Sequence, residues 1–397
     1  MIYNNILLYS LMTNKHIVLI VGTRPNFIKA FPVYKALVND FTVTLIHTGQ
    51  HFSKNMSDIF FEQLQFPKPD IHLNIDSKTK AGELDSLLYM GDTIDCCKYI
   101  INELVLFDGK RCGQFGEIRD KLEIELTMLK PDAVMVFGDV TSTLAGAICS
   151  WKMDIDLIHI ESGLRSGDMT MPEEVNRILV DYMSKYRFVT ENSGVINLQN
   201  EGIIENIYLV GNTMIDTQKK FLPMALQTNY GGDMGEYVLV TLHRPSNVDN
   251  TEKLEDIYND LVELSHYIKV VYPVHHRTRA AIEKMNTDSK THNIILLEPL
   301  GYLEFTCLMT NSKYVITDSG GIQEETTALN IPCFTLRDNT ERPITLVQHG
   351  GTNQLVKKIG DILYNTRPNM CPFSNKLWDG HSGERIGALL TTLFGRR

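Results

Sequence analysis

Ala133-Val134-Met135-Val136-Phe137-Gly138-Asp139, followed by Asp156-Leu157-Ile158-His159-Ile160-Glu161-Ser162-Gly163-Leu164-Arg165 and then Pro172-Glu173-Glu174-Val175-Asn176-Arg177, decides the fold. The first two segments open as short apolar runs, each too short for a helix that must bury itself, and each ends in an acidic residue. Between them Thr143-Leu144-Ala145-Gly146-Ala147-Ile148 reads as a helix, and Pro172 stands at a favoured first-turn position of the next one. Short apolar strands alternating with helices predict a parallel sheet, and such sheets bind ligands beyond the carboxyl ends of their strands. Asp139 and Glu161 fall at that edge.

Working outward, the same alternation covers the chain. His16–Val21 and Phe41–His47 read as strands on either side of a helical run in which Phe27, Ala30, Phe31, Tyr34 and Val38 share one face. Residues 76–130 are mostly helical in pattern, with a loop at Asp108-Gly109-Lys110, and 186–190 and 207–210 close the first half. The second half places strands at 237–242, 268–273, 294–297, 314–317 and 333–336, with helices such as 251–266 and 322–329 between them. Gly231-Gly232-Asp233-Met234-Gly235 reads as a flexible join or a surface loop. The expected fold class is therefore α/β, two Rossmann-like doubly wound domains facing a cleft. Their bounds are 1–207 and 208–375, with a C-terminal helix at about 376–397 returning to the first.

The composition is that of an ordinary globular protein: 397 residues, 43% hydrophobic and 22% charged. A formal charge of −10 speaks against holding nucleic acid or anionic lipid by bulk electrostatics, but not against a small phosphorylated ligand held by local donors. Seven cysteines without a Cys-x-x-Cys pattern fit reduced thiols better than a disulfide framework or a zinc site. The apolar run 6–12 has no basic region before it and is too short to span a bilayer, so it reads as an extension ahead of the first strand. A cytoplasmic location without membrane attachment is expected.

Several strand ends carry groups suited to a nucleotide diphosphate. Arg24 follows the first strand and Lys29 lies about one turn into the next helix. Asp318-Ser319-Gly320-Gly321 opens a helix whose free N–H groups suit phosphate oxygens, while Glu324 and Glu325 lie in its first turns. Glu324 and Glu325 also read as ordinary first-turn acids, and a carboxylate there equally suits ribose hydroxyls. His243-Arg244 and His275-His276 end neighbouring strands. No His/Cys/Asp cluster has metal-ligand spacing, and no Gly-x-Gly-x-x-Gly follows a strand.

Gly22-Thr23-Arg24-Pro25-x-x-Ile28-Lys29, Thr48-Gly49-Gln50-His51, Gly138-Asp139, His159-Ile160-Glu161-Ser162-Gly163-Leu164-Arg165, Pro172-Glu173-Glu174-x-Asn176-Arg177, Val210-Gly211-Asn212-Thr213, Thr241-Leu242-His243-Arg244, Asp318-Ser319-Gly320-Gly321-Ile322-Gln323-Glu324-Glu325 and Thr340-Glu341-Arg342-Pro343 occur in this order. Together, over about residues 16–360, they resemble the non-hydrolysing UDP-N-acetylglucosamine 2-epimerases. The resemblance implies a fold of the GT-B type, a homodimer, and a UDP-sugar as substrate with neither metal nor redox cofactor. The implied reaction interconverts UDP-GlcNAc and UDP-ManNAc by eliminating UDP to a 2-acetamidoglucal and adding it back from the other face. By motif position, Asp139, Glu161, Glu173 and His243 are then catalytic. The implied substrate-binding set is Arg24, Lys29, Arg165, Arg177, Arg244, His275, Phe305, Ser319, Gly320, Gly321, Glu325 and Arg342, with Phe305 facing the uracil.

The chain departs from the family at Ser162, at Pro245-Ser246-Asn247 and at Ile344, which leaves the sugar open among UDP-GlcNAc and its deoxy, oxidised or diacetamido relatives. Many bacterial members of the family are also activated by UDP-GlcNAc at a second site. Gln50 and His51 match that site, but Ser53 stands where a second Gln is expected and no arginine lies between Arg24 and Arg111. Loss or rebuilding of the activator site is therefore expected. Three rival functions share the nucleotide-sugar reading: a GT-B glycosyltransferase, a hydrolysing 2-epimerase, and a sensor without activity. The three carboxylates argue against transferase and sensor, neither of which needs to deprotonate C2.

Overall fold

The computed structural model describes residues 14–50, 62–75, 97, 100–104, 113–285, 293–364 and 372–395. The expectations for residues 1–12, His51, Ser53 and the loop at 108–110 lie outside these. The chain divides into two compact units. One comprises Met1–Ser57, Pro67–Asp216 and Gly380–Arg397, the other Asp58–Phe66 and Thr217–Asp379.

The first unit contains a seven-stranded parallel sheet of β1 (His16–Val21), β2 (Thr42–His47), β3 (Ile71–His72), β4 (Ala133–Phe137), β5 (Asp156–Ser162), β6 (Tyr186–Val189) and β7 (Ile207–Leu209), in the order β3-β2-β1-β4-β5-β6-β7. All five residues of β4 are buried, as expected of a strand covered on both faces. Val18 and Ile20 of β1 and Val134 and Val136 of β4 enter one cluster with Leu122, Leu144, Ile148 and Leu179 from the covering helices. Removing each such side chain from water stabilises the fold by about 1.5–3 kcal/mol. A C-terminal helix, Ser382–Phe394, packs on helix Arg24–Leu37, where Gly383 and Gly387 leave room for Pro32 and Ala36. Its first turn is tied down by Asp216, whose carboxylate accepts the Gly383 N–H at 2.7 Å.

The second unit repeats the design with six parallel strands: β8 (Tyr237–Thr241), β9 (Lys269–Pro273), β10 (Ile294–Leu297), β11 (Val315–Thr317), β12 (Cys333–Leu336) and β13 (Asn353–Val356), in the order β10-β9-β8-β11-β12-β13. Val238 and Val240 of β8 join the core on one face, Tyr237 and Leu239 the core on the other, so strand periodicity fills both layers. Gly231–Gly235 is a tight turn around the short 3-10 helix Gly232–Met234 inside this unit, which makes it a loop of the unit.

Both sheets reverse their strand order once, between β1 and β4 and between β8 and β11. A doubly wound sheet binds its ligand at the carboxyl ends flanking such a reversal. Arg24 and Asp139 follow β1 and β4, and His243 and Ser319 follow β8 and β11.

Candidate active site

In the first unit, Asn26 stitches the reversal point together. Its side-chain oxygen accepts the N–H groups of Gly22 (3.1 Å) and Thr23 (3.2 Å), and its amide donates to the Phe137 carbonyl at 3.0 Å. Helix Arg24–Leu37 starts here, with Arg24 half-buried at its first position and Lys29 buried one turn on. Lys29 forms an ion pair with Glu161, and both side chains are almost wholly shielded from water. Glu161 has φ +75°, where the pairing of β5 with β6 shifts register between Ile160 and Ser162. A left-handed backbone costs a non-glycine residue about 1–3 kcal/mol, and such strain persists only where its surroundings enforce it.

Asp139 follows a left-handed Gly138 and pairs with Arg177, while the Asn176 amide donates to the Asp139 carbonyl at 2.8 Å. Arg177 reaches a second carboxylate, Glu174, at 2.7 Å. Glu174 also accepts the N–H groups of Ser166 and Gly167, each at 2.8 Å, and so fixes the loop ahead of helix Pro172–Met183. Of the two adjacent acids, Glu174 is thus the buried anchor. Glu173 is half-buried and makes no ion pair among the described residues.

Arg165 is held at 2.7 Å by Glu201 and at 2.8 Å by Asp181. Asp181, fully buried, also accepts from His159 Nδ1 at 2.7 Å and from the Gly163 N–H at 2.9 Å. Burial pushes the Asp181 carboxyl up, but the Arg165 and His159 charges outweigh it and hold the group well below the usual carboxylate range. Farther along the sheet edge, the Gln50 side-chain oxygen accepts from the Ser142 N–H (3.0 Å) and hydroxyl (2.7 Å), which ties it to helix Thr141–Lys152.

In the second unit the loop after β8 is organised by Asp318. Its carboxylate accepts the N–H groups of His243 (3.1 Å) and Arg244 (2.9 Å), the Asn247 amide (3.0 Å) and His243 Nδ1 (3.0 Å). Burial raises this carboxyl, and the hydrogen bonds and charge from His243, with Asn247 and Arg244, lower it by more. His243 itself stands in solvent, its side chain 63% exposed, with Nδ1 engaged and Nε2 as its remaining nitrogen. His275 is exposed too and caps helix His276–Lys284.

Helix Gly320–Ala328 begins after Ser319, whose own N–H donates to Thr317 Oγ1 at 3.0 Å. Beneath Gly320, Arg342 pairs with Glu324 at 3.0 Å and with Glu341, and Arg337 pairs with Glu341 at 2.9 Å. A side chain at Gly320 would strike the Arg342 guanidinium. Glu325 is buried and accepts from the Tyr302 hydroxyl at 3.0 Å. Phe305, only 8% exposed, packs with Tyr237, Leu239 and Leu308.

A family model described as UDP-N-acetylglucosamine 2-epimerase matches residues 35–109 and 108–391. The chain belongs to the UDP-N-acetylglucosamine 2-epimerase family. It is 38% identical to a UDP-N-acetylglucosamine 2-epimerase of Methanocaldococcus jannaschii over 394 residues, 94% of this chain and 98% of that one. The crystal structure of a Methanocaldococcus jannaschii UDP-GlcNAc 2-epimerase in complex with UDP-GlcNAc and UDP matches with a TM-score of 0.78 at 37% identity. That match covers 95% of this chain and 99% of the other. A UDP-2,3-diacetamido-2,3-dideoxy-D-glucuronate 2-epimerase of Pseudomonas aeruginosa is likewise 38% identical, over 82% of this chain and 84% of its own.

Within this 2-epimerase scaffold, the sequence-predicted residues separate into two kinds. Asp139, Glu161, Lys29, Arg177 and Asn176 meet at the ends of β1, β4 and β5, and His243, Arg244, Ser319 and Gly320 gather at the ends of β8 and β11. Arg165, Arg342 and Phe305 are instead built into ion pairs or core. Sequence reasoning missed Glu174, Asp181 and Asp318 as organisers. Glu174 and Asp318 lie inside the quoted motifs, whereas Asp181 carried no signal.

No helix among the described residues is long and apolar enough to cross a membrane, and none of their His, Cys, Asp and Glu side chains form a group that could hold a metal ion.

Proposed function

We propose that this chain is a non-hydrolysing isomerase that inverts C2 of a UDP-N-acetylhexosamine by elimination and re-addition of UDP. A base removes the C2 proton as the bond between C1 and the bridging oxygen breaks. The 2-acetamidoglucal and UDP are held, UDP adds back at C1, and a proton returns to the other face of C2. The sequence is redox-neutral and its proton transfers need only carboxylates.

The first unit supplies these as Asp139, Glu161 and Glu173. What carries the reading, in a chain of this family, is that Asp139 and Glu161 end adjacent strands, each against a buried cation. The C2 proton is weakly acidic, so its base must be positioned and shielded from water, and Glu161 stands in such a place, paired with Lys29. Departing UDP accumulates negative charge. We assign its stabilisation to the second unit: His243 through Nε2, Arg244, and the N–H groups of Gly320 and Gly321. Arg24 assists from the end of β1, and Glu325 takes the ribose. Arg165 and Arg342, already committed to buried carboxylates, support the scaffold. The two units thus serve as a sugar domain and a nucleotide domain. The same reading carries the expected cytosolic homodimer, which sedimentation velocity checks.

The test is incubation with UDP-GlcNAc in D2O, followed by NMR. Deuterium at C2 of UDP-ManNAc supports the proposal; free ManNAc with UDP would make the enzyme hydrolytic. The Pseudomonas aeruginosa relative supports a second substrate, UDP-2,3-diacetamido-2,3-dideoxy-D-glucuronate, and the same assay with that sugar ranks the two by kcat/KM.

A further inference from the structure

His159 stands two residues before the kinked Glu161 and is fully buried. Its Nδ1 lies 2.7 Å from Asp181 Oδ1 and its Nε2 lies 2.8 Å from the carbonyl oxygen of Gly138, the residue before Asp139. A carbonyl oxygen only accepts, so Nε2 carries a hydrogen. Asp181 is held ionised by Arg165 Nη1 and the Gly163 N–H on its other oxygen, so it too only accepts. Both ring nitrogens therefore donate, and only the imidazolium can do so. A neutral ring would leave one buried acceptor without its hydrogen.

Asp181 also holds the chain on the far side of Glu161, through Gly163. Gly163 is left-handed (φ +82°) and lies so close to Gly194 that a side chain there would meet its backbone. The Ser162 hydroxyl adds a bond to the His159 carbonyl at 3.0 Å, and the Gly138 N–H donates to Ile160 at 3.0 Å. One buried pair of opposite charges thus grips both turns: Glu161 from residues 159 and 163, Asp139 through residue 138. Arg165 and Glu201 bring the four charges to balance.

We propose that His159 is a positioning residue, an imidazolium donating from both ring nitrogens, that, with Asp181, sets the Glu161 kink and the Gly138-Asp139 turn in register for proton transfer at C2. This rests on the acid–base assignment of Asp139 and Glu161. An asparagine amide reaches the place of Nδ1 and a glutamine amide that of Nε2. His159→Asn therefore keeps the bond to Asp181 and releases Gly138, and His159→Gln does the reverse.

Both variants are expected to lose about 10²-fold in kcat for C2 deuterium exchange with KM unchanged, as for displacement of a reacting group by about 1 Å. A residue that only supports the fold would lower the melting temperature and leave kcat intact. Glu161→Gln and Asp139→Asn are measured alongside. If they are inactive while both His159 variants turn over normally, the positioning role is overturned and the acid–base assignment survives. If Glu161→Gln and Asp139→Asn turn over normally, the assignment fails and this inference with it. Should the His159 variants not fold, nitrogen-15 histidine NMR of the unsubstituted protein still decides. Two ring N–H protons on His159 are expected, and a single one overturns the proposal.

Discussion

The loops that end β4 and β5 and those that end β8 and β11 occupy equivalent edges of two similar sheets, yet they treat charge in opposite ways. In the first unit two of the reactive candidates are drawn onto buried cations: Glu161, 4% exposed, sits against Lys29, and the part-buried Asp139 lies on Arg177. In the second, His243 projects into solvent and only its supporting Asp318 is buried. The two halves of the proposed reaction differ in the same sense. Taking a proton from a weakly acidic carbon calls for a carboxylate whose hydration has already been replaced by fixed partners. A departing diphosphate brings its own charge and needs donors that can reach it. What the edges share is a fully buried aspartate, Asp181 or Asp318, that fixes backbone N–H groups beside the working residue.

The largest expected effect falls on the buried side. Glu161→Gln lowers turnover by about 10²-fold or more. It also leaves Lys29 buried without its counter-charge, a loss of about 3–5 kcal/mol. Adding Lys29→Met should bring the unfolding midpoint back while turnover stays lost; recovered turnover would show that Glu161 serves only the fold. Glu173→Gln should share the loss of turnover at a stability cost of about 0.3–1 kcal/mol, since its charge meets the helix start and no side-chain partner.

On the exposed side, His243→Gln should reduce turnover by about 10²-fold with the melting temperature unmoved. Asp318→Asn should reduce it by about tenfold, through one weakened hydrogen bond to a charged group. A variant at His243 that loses stability but keeps its kcat would break the contrast between the two edges.

A smaller effect is on acid stability. Asp181 and Asp318 both have folded-state values below the ordinary one, so the stability they contribute is present above about pH 4 and is lost as pH falls further. Urea midpoints measured against pH should therefore fall less steeply on the acid side for Asp181→Asn than for the parent. The smallest effect expected is none at all. Gln50 has its side-chain oxygen bound to Ser142, and the sequence has Ser53 at the expected second Gln and no arginine between Arg24 and Arg111, so the reaction started from UDP-ManNAc alone should show no lag. A strict requirement for added UDP-GlcNAc would restore the activator site.

Much of this architecture was legible because the central strands are buried on both faces. His16–Val21, Ala133–Phe137 and Cys333–Leu336 are largely apolar runs whose ends coincide with the observed strands. The edge strands Ile71–His72 and Asn353–Val356 were missed: one is two residues long, the other half polar, and neither has the continuous apolar run that burial imposes. At the site, Asp139 and Glu161 could be found because strand ends are visible in the pattern. The turn of Glu161 into the left-handed region could not, since the residues flanking it are bound by Asp181, distant in sequence and set in a helix where an acid looks unremarkable. Glu173 and Glu174 are adjacent letters, and only the helix face decides that one is an anchor and the other is not.

The central claim, that UDP leaves the sugar while C2 is inverted, is tested most directly by UDP-GlcNAc carrying oxygen-18 in the bridge between C1 and the β-phosphate, turned over in D2O. Once the C1–oxygen bond breaks, the β-phosphate can rotate before it adds back. The account predicts that, in molecules that have gained deuterium at C2, the heavy oxygen moves from the bridge to the non-bridging positions. Deuterium at C2 with the label still wholly in the bridge would contradict it, since C2 would then be inverted without departure of UDP.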